Sequence, residues 1–99
     1  MAPILRVVLD LLKPHDPPTL EFAERLADAD GVYGVNATTI EVDKKVENVK
    51  LTIEGEDIRY ETIRDLVDEL GGTIHSVDQI ACGERLIEEQ GVPQDQLLR

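Results

Sequence analysis

One pattern constrains this chain more than any other: strand, helix, strand occurs twice in succession. Ile4 to Lys13 is a run of β-branched and apolar residues that reads as a strand. Pro14, Pro17 and Pro18 stop it. Thr19 is the expected N-cap of a helix with Glu21 in its first turn. Leu20, Phe22, Ala23, Leu26 and Ala27 then recur at helical spacing until a stop near Asp30-Gly31. Val32 to Asp43 reads as a second strand, Lys44-Lys45 as a hairpin turn, and Val46 to Glu54 as a third strand. In the third strand Val49, Leu51 and Ile53 alternate with Lys50, Thr52 and Glu54, the mark of one buried face. A second helix is expected from about Tyr60 to Leu70, with Ile63, Leu66, Val67 and Leu70 as its apolar stripe and Gly71-Gly72 as its stop. Thr73 to Cys82 is the fourth strand.

The order β-α-β-β-α-β is the split β-α-β, or ferredoxin-like, arrangement of the α+β class. Right-handed crossovers predict an antiparallel sheet in the order 4-1-3-2 with both helices on one face. Leu5, Val7, Leu9, Leu11, Leu26, Val49, Leu51, Ile53, Ile63, Leu66 and Leu70 are expected to supply much of the core. Arg6, Val8, Asp10 and Leu12 line the other face of the first strand, a mixed set that suggests partial cover by another subunit. Residues 1–83 form the expected domain and residues 84–99 a tail. The tail carries Leu86, Ile87, Val92, Leu97 and Leu98 without a clear element, so it is expected to pack on a neighbouring copy.

Ninety-nine residues suffice for one domain with one core. No apolar stretch is long enough to cross a bilayer. Arg6, Asp10 and Lys13 interrupt what would otherwise resemble a secretory leader, and a cytoplasmic location is expected. The lone Cys82 forms no intrachain disulfide and reads as a packing thiol. Twenty-one acidic against ten basic residues give a net charge of −11, which repels phosphate backbones and suits cations. With only four lysines, the balance also fits a halophilic source, in which salt would screen the repulsion and raise stability.

Val8-Leu9-Asp10-Leu11-Leu12-Lys13-Pro14-His15, Gly34-Val35-Asn36, Glu47-Asn48-Val49-Lys50 and Gly71-Gly72-Thr73-Ile74-His75-Ser76-Val77-Asp78 occur in order along the chain. In these motifs, from Ile4 to about Asp95, the chain resembles the small archaeal proteins grouped as Domain of Unknown Function 211. The resemblance implies a ferredoxin-like fold, ring-like homo-oligomers and an archaeal origin. It implies no particular activity.

Candidate chemistry gathers at two polar stations, each holding one of the two histidines. Lys13-Pro14-His15-Asp16-Pro17 closes the first strand, and the Gly71 to Asp78 segment opens the fourth. Antiparallel pairing of these strands would bring His15 and His75 to one end of the sheet with Asp16 nearby, and would place Asp10 near Asp78. The hairpin residues Asp43 and Glu47 point to the same end. Imidazole with carboxylates suits zinc, nickel or copper, and carboxylates with carbonyls suit calcium or magnesium. His15, Asp16, His75, Asp78 and Asp10 are therefore the candidate ligands of a divalent metal cation. The competing reading is structural: the histidines bond backbone carbonyls, and Asp10 and Asp78 pair with Arg6 or with a base of another subunit.

An enzyme is not expected. The chain has no activated nucleophile motif and no phosphate-binding glycine loop. Ser76 beside His75 is no catalytic pair, because adjacent strand residues face opposite ways. RNA binding of the kind that stacks bases on a sheet needs aromatic residues on the central strands, and Phe22, Tyr33 and Tyr60 are the only aromatics. The expectation is an oligomeric binding or regulatory module, larger than a dimer, for a small ligand or divalent cation. The alternative is a purely structural homo-oligomer.

Overall fold

The computed structural model describes residues 2–89. Its elements are β1 (Ile4–Pro14), α1 (Thr19–Ala27), β2 (Val32–Val42), β3 (Val46–Gly55), α2 (Tyr60–Glu69) and β4 (Thr73–Cys82). They form a four-stranded sheet in the order β2-β3-β1-β4, with every neighbouring pair antiparallel. This is the expected order and orientation. Val7, Leu9 and Leu11 of β1 and Val49, Leu51 and Ile53 of β3 bury completely in one cluster with Phe22 and Leu26 of α1 and Ile63 and Val67 of α2. A strand presents alternate residues to one side, so both helices cover the same face and the other face has no helix over it.

Four local expectations are corrected. Pro18, not Thr19, is the N-cap of α1, and it makes no side-chain capping bond. Thr19 starts the helix, and its hydroxyl donates across to Glu47 at 3.4 Å. The helix ends at Ala27, before Asp30, with Asp28 as its C-cap. Leu5 is absent from the core, because β1 shifts register against β4 between Ile4 and Arg6. An irregularity of that kind turns the alternation over, and Ile4 packs on the cluster in place of Leu5. Leu66 is only partly buried, whereas Phe22, Ile58 and Val67 are central.

The tail residues up to 89 continue past β4, and Val92, Leu97 and Leu98 lie outside the described residues. No helix among the described residues is long and apolar enough to cross a membrane.

Candidate functional site

The helix-side row of β1 does not end in an apolar residue. It runs Val7, Leu9, Leu11 and then Lys13, which is 1% exposed. Lys13 pairs in register with Glu47 of β3. Its ammonium donates to the Pro14 carbonyl at 2.7 Å and to Glu47 Oε1 at 3.5 Å, and it sits 5.3 Å from the centre of the Phe22 ring. Burial of an ammonium is tolerated only where donors are met by acceptors. The carbonyl, the carboxylate and the ring supply that here. Lys13 escapes a reading by composition, because a lysine at a strand end ordinarily reaches water. The available signal is its odd-numbered place in an otherwise apolar row.

Glu47 is the hub of this end of the sheet. Besides Lys13 it accepts from Thr19 and faces His15. His15 Nδ1 lies 2.8 Å from Glu47 Oε2, and Nε2 lies 2.9 Å from the Lys44 carbonyl oxygen in the β2–β3 turn. Both partners are acceptors, so both ring nitrogens must donate, which only the imidazolium form can do. The Glu47 contact, followed by the Lys44 carbonyl, holds the His15 pKa above its ordinary 6.5. The same His15 contact holds the Glu47 carboxyl below its ordinary value.

The His15 contribution to stability is fully present below pH 6.5, the unperturbed value, and is lost as pH rises through the raised folded value. The Glu47 contribution is present above the ordinary carboxyl range and is lost as pH falls through the lowered folded value. Both therefore operate together in mildly acidic solution. Thermal midpoints of the wild type and of His15→Gln, followed from pH 5 to about 9, should converge as pH rises. A gap that stays constant with pH would show that the imidazolium carries none of it.

The two histidines do share one end of the sheet, since β4 begins with Thr73 opposite Leu12. They lie on opposite sides of β1, however. The ring of His15 is bound to the β2–β3 hairpin. His75 follows Ile74, which packs on the core, and is itself exposed within a register irregularity of β4. Asp16 is exposed in the loop after β1. A metal on His15 would have to displace Glu47 or the Lys44 carbonyl. Among the described residues no group of three or more His, Cys, Asp or Glu side chains is arranged to hold a metal ion.

The uncovered sheet face carries the other candidates. Asp10 is half-buried in the middle of β1, accepts from the Asn48 amide and pairs in register with Ser76. Ser76 in turn donates to Asp78 at 2.7 Å. Toward the other end Arg6 donates to Glu54 at 2.7 Å, to Gln79 at 3.2 Å and through both terminal nitrogens to Glu88 at 2.9 and 2.7 Å. That last contact holds the segment after β4 against this face. Beside it lies an open concavity of about 560 Å³ lined by Tyr33, Gly34, Val35, Asn36, Thr52 and Glu54.

A family model described as Uncharacterized ArCR, that of Domain of Unknown Function 211, matches residues 5–96. An uncharacterized protein of Methanocaldococcus jannaschii, MJ0319, is 46% identical over 95 residues, which make up 96% of this chain and 98% of that relative.

Proposed function

The chain belongs to the family of Domain of Unknown Function 211, and from that premise we propose that it is a non-catalytic, cytoplasmic binding module that assembles with its own kind and takes a small ligand or divalent cation. The observation that carries this reading is the oxygen-rich centre of the uncovered face. Asp10 sits half-buried there, accepting from the Asn48 amide and in register with Ser76, whose hydroxyl donates to Asp78. Hard divalent cations take six to eight oxygen ligands. Asp10 and Asp78 supply only part of such a set, and a second copy or bound water would supply the rest.

Calorimetric titration of the native protein with calcium and then zinc tests the reading. Saturable binding is expected, and Asp10→Asn should weaken it at least about tenfold, the scale on which a metal site responds to loss of a supporting group. His75→Ala reports whether imidazole takes part. No saturable heat with either cation would overturn the divalent-cation form of the proposal.

Purely structural assembly is the second reading. It is favoured by apolar residues on both edge strands, Tyr33, Ile40 and Val42 on β2 and Val77 and Ile80 on β4, all exposed. Open edges with such residues pair readily with another chain. Light scattering gives the mass in solution. A structural assembly would keep that mass in the Asp10→Asn variant and show no ligand response.

A further inference from the structure

We propose that the concavity beside β2, on the sheet face without helices, is a site for an alkylammonium group. It rests on the reading of this protein as a binding module, but it uses residues remote from Asp10 and a different ligand chemistry.

The floor is built by two register pairs on either side of Val35–Ile53, Gly34 with Glu54 and Asn36 with Thr52. Glu54 and Thr52 alternate with the core residues Ile53 and Leu51, so the floor belongs to the uncovered face. Gly34 leaves the centre empty: a Cβ built there meets nothing within 4 Å. The volume of about 560 Å³ falls within the range of small-molecule sites.

The wall is Tyr33, the most exposed aromatic residue described, at 74%. Its hydroxyl donates to Glu56. The ring is thereby tethered at its edge, which leaves its faces available. A tethered ring face with a carboxylate beside it attracts a cation through the ring quadrupole, and most strongly one that sheds its water easily. Glu54 supplies the carboxylate. Among the described residues it is engaged only through Oε2, by Arg6.

The sign of the ligand follows from the charges. Glu54 lines the cavity and Glu56 holds the Tyr33 hydroxyl at its wall, while Arg6, the base bound to Glu54, is also held by Glu88 and Gln79. Among the residues that line the cavity there is a carboxylate and no base, so an anion would be repelled. An organic cation is favoured over a metal ion because the floor offers one carboxylate and an aromatic wall, not a shell of oxygens.

The probe is tetramethylammonium chloride, titrated into isotopically labelled protein at constant ionic strength, with sodium chloride in its place as comparator. Backbone amide resonances report the site. Saturable shifts confined to Tyr33, Gly34, Asn36 and Thr52 are expected, absent with sodium. Gly34→Val fills the cavity from a position with open space and should abolish the shifts with the thermal midpoint nearly unchanged. Should that variant fail to fold, Tyr33→Leu at an exposed position replaces it and should weaken binding at least about fivefold, the equivalent of one cation–π contact. Tyr33→Phe should retain binding. Asp10→Asn separates the two readings: it should leave the ammonium shifts in place whatever it does to calcium. Shifts spread over the whole acidic surface, or equal with sodium, or undiminished in Gly34→Val or Tyr33→Leu, would overturn the site.

Discussion

Phe22→Ala is expected to cost about 4 kcal/mol of stability, the middle of the range for buried aromatics. Phe22 is fully buried beneath the sheet, against Leu11, Val67 and the backbone of Gly72. A Cβ at Gly72 would lie only 3.0 to 3.1 Å from those three side chains, so the packing has no slack to absorb a change. Truncation removes the transfer free energy of the ring and leaves a cavity roofed by α1. It also removes the ring beneath the Lys13 ammonium, which then faces a void. A domain of this size has about 5–15 kcal/mol in all, so the loss is a large fraction of the total. Urea unfolding followed by circular dichroism checks this. A loss below about 1.5 kcal/mol, the figure for a well-tolerated core swap, would mean that the site collapses around the missing ring. Phe22→Leu should recover much of the loss.

Gly55→Ala should be nearly as severe, for a different reason. A Cβ on Gly55 would lie 1.9 Å from the Gly31 carbonyl oxygen and 2.9 Å from the Val32 Cα. The obstacle is backbone, and the same Gly31 oxygen accepts from the Glu56 amide at 2.8 Å. Neither strand end can retreat without breaking the start of the β2–β3 pairing. About 3 kcal/mol is expected, the top of the usual range for overpacking. Gly34→Ala, in the same pair of strands, is the control, since its Cβ would enter open space. Thermal midpoints of the two variants should separate clearly. Equal midpoints would show that the chain at Gly31 gives way.

Much of this architecture is legible in the residues because its signals are redundant. The alternation of Val49, Leu51 and Ile53 and the stripe of Ile63, Val67 and Leu70 each point to the same buried layer. The exceptions have specific causes. Leu5 sits at a register shift against β4, and nothing in its own neighbourhood marks that shift. Thr19 has good capping chemistry, but its hydroxyl is drawn to Glu47 of a distant strand. Topology also brings His15 and His75 to one end of the sheet. Their separation to either side of β1 depends on the hairpin, because Glu47 and the Lys44 carbonyl capture His15. The concavity at Tyr33 has no linear signature, since it combines residues from two strands paired in one register.

The pairing of Lys13 with Glu47 has a consequence for how the chain finds this sheet. Apolar alternation rejects a displacement of β1 against β3 by one residue, because every side chain would change face. It does not reject a displacement by two, which returns each apolar row to the core side. In one such slip Lys13 would stand opposite Lys45, and in the other opposite Val49. Either leaves an ammonium beneath α1 without its carboxylate, and an uncompensated buried charge is strongly unfavourable. The opposite face carries the same instruction at Asp10, which stands across from Lys50 in the observed alignment and across from Asn48 or Thr52 in the two slips. The charges in β1 thus act as a key that distinguishes the native alignment from the two alternatives that hydrophobicity alone would accept.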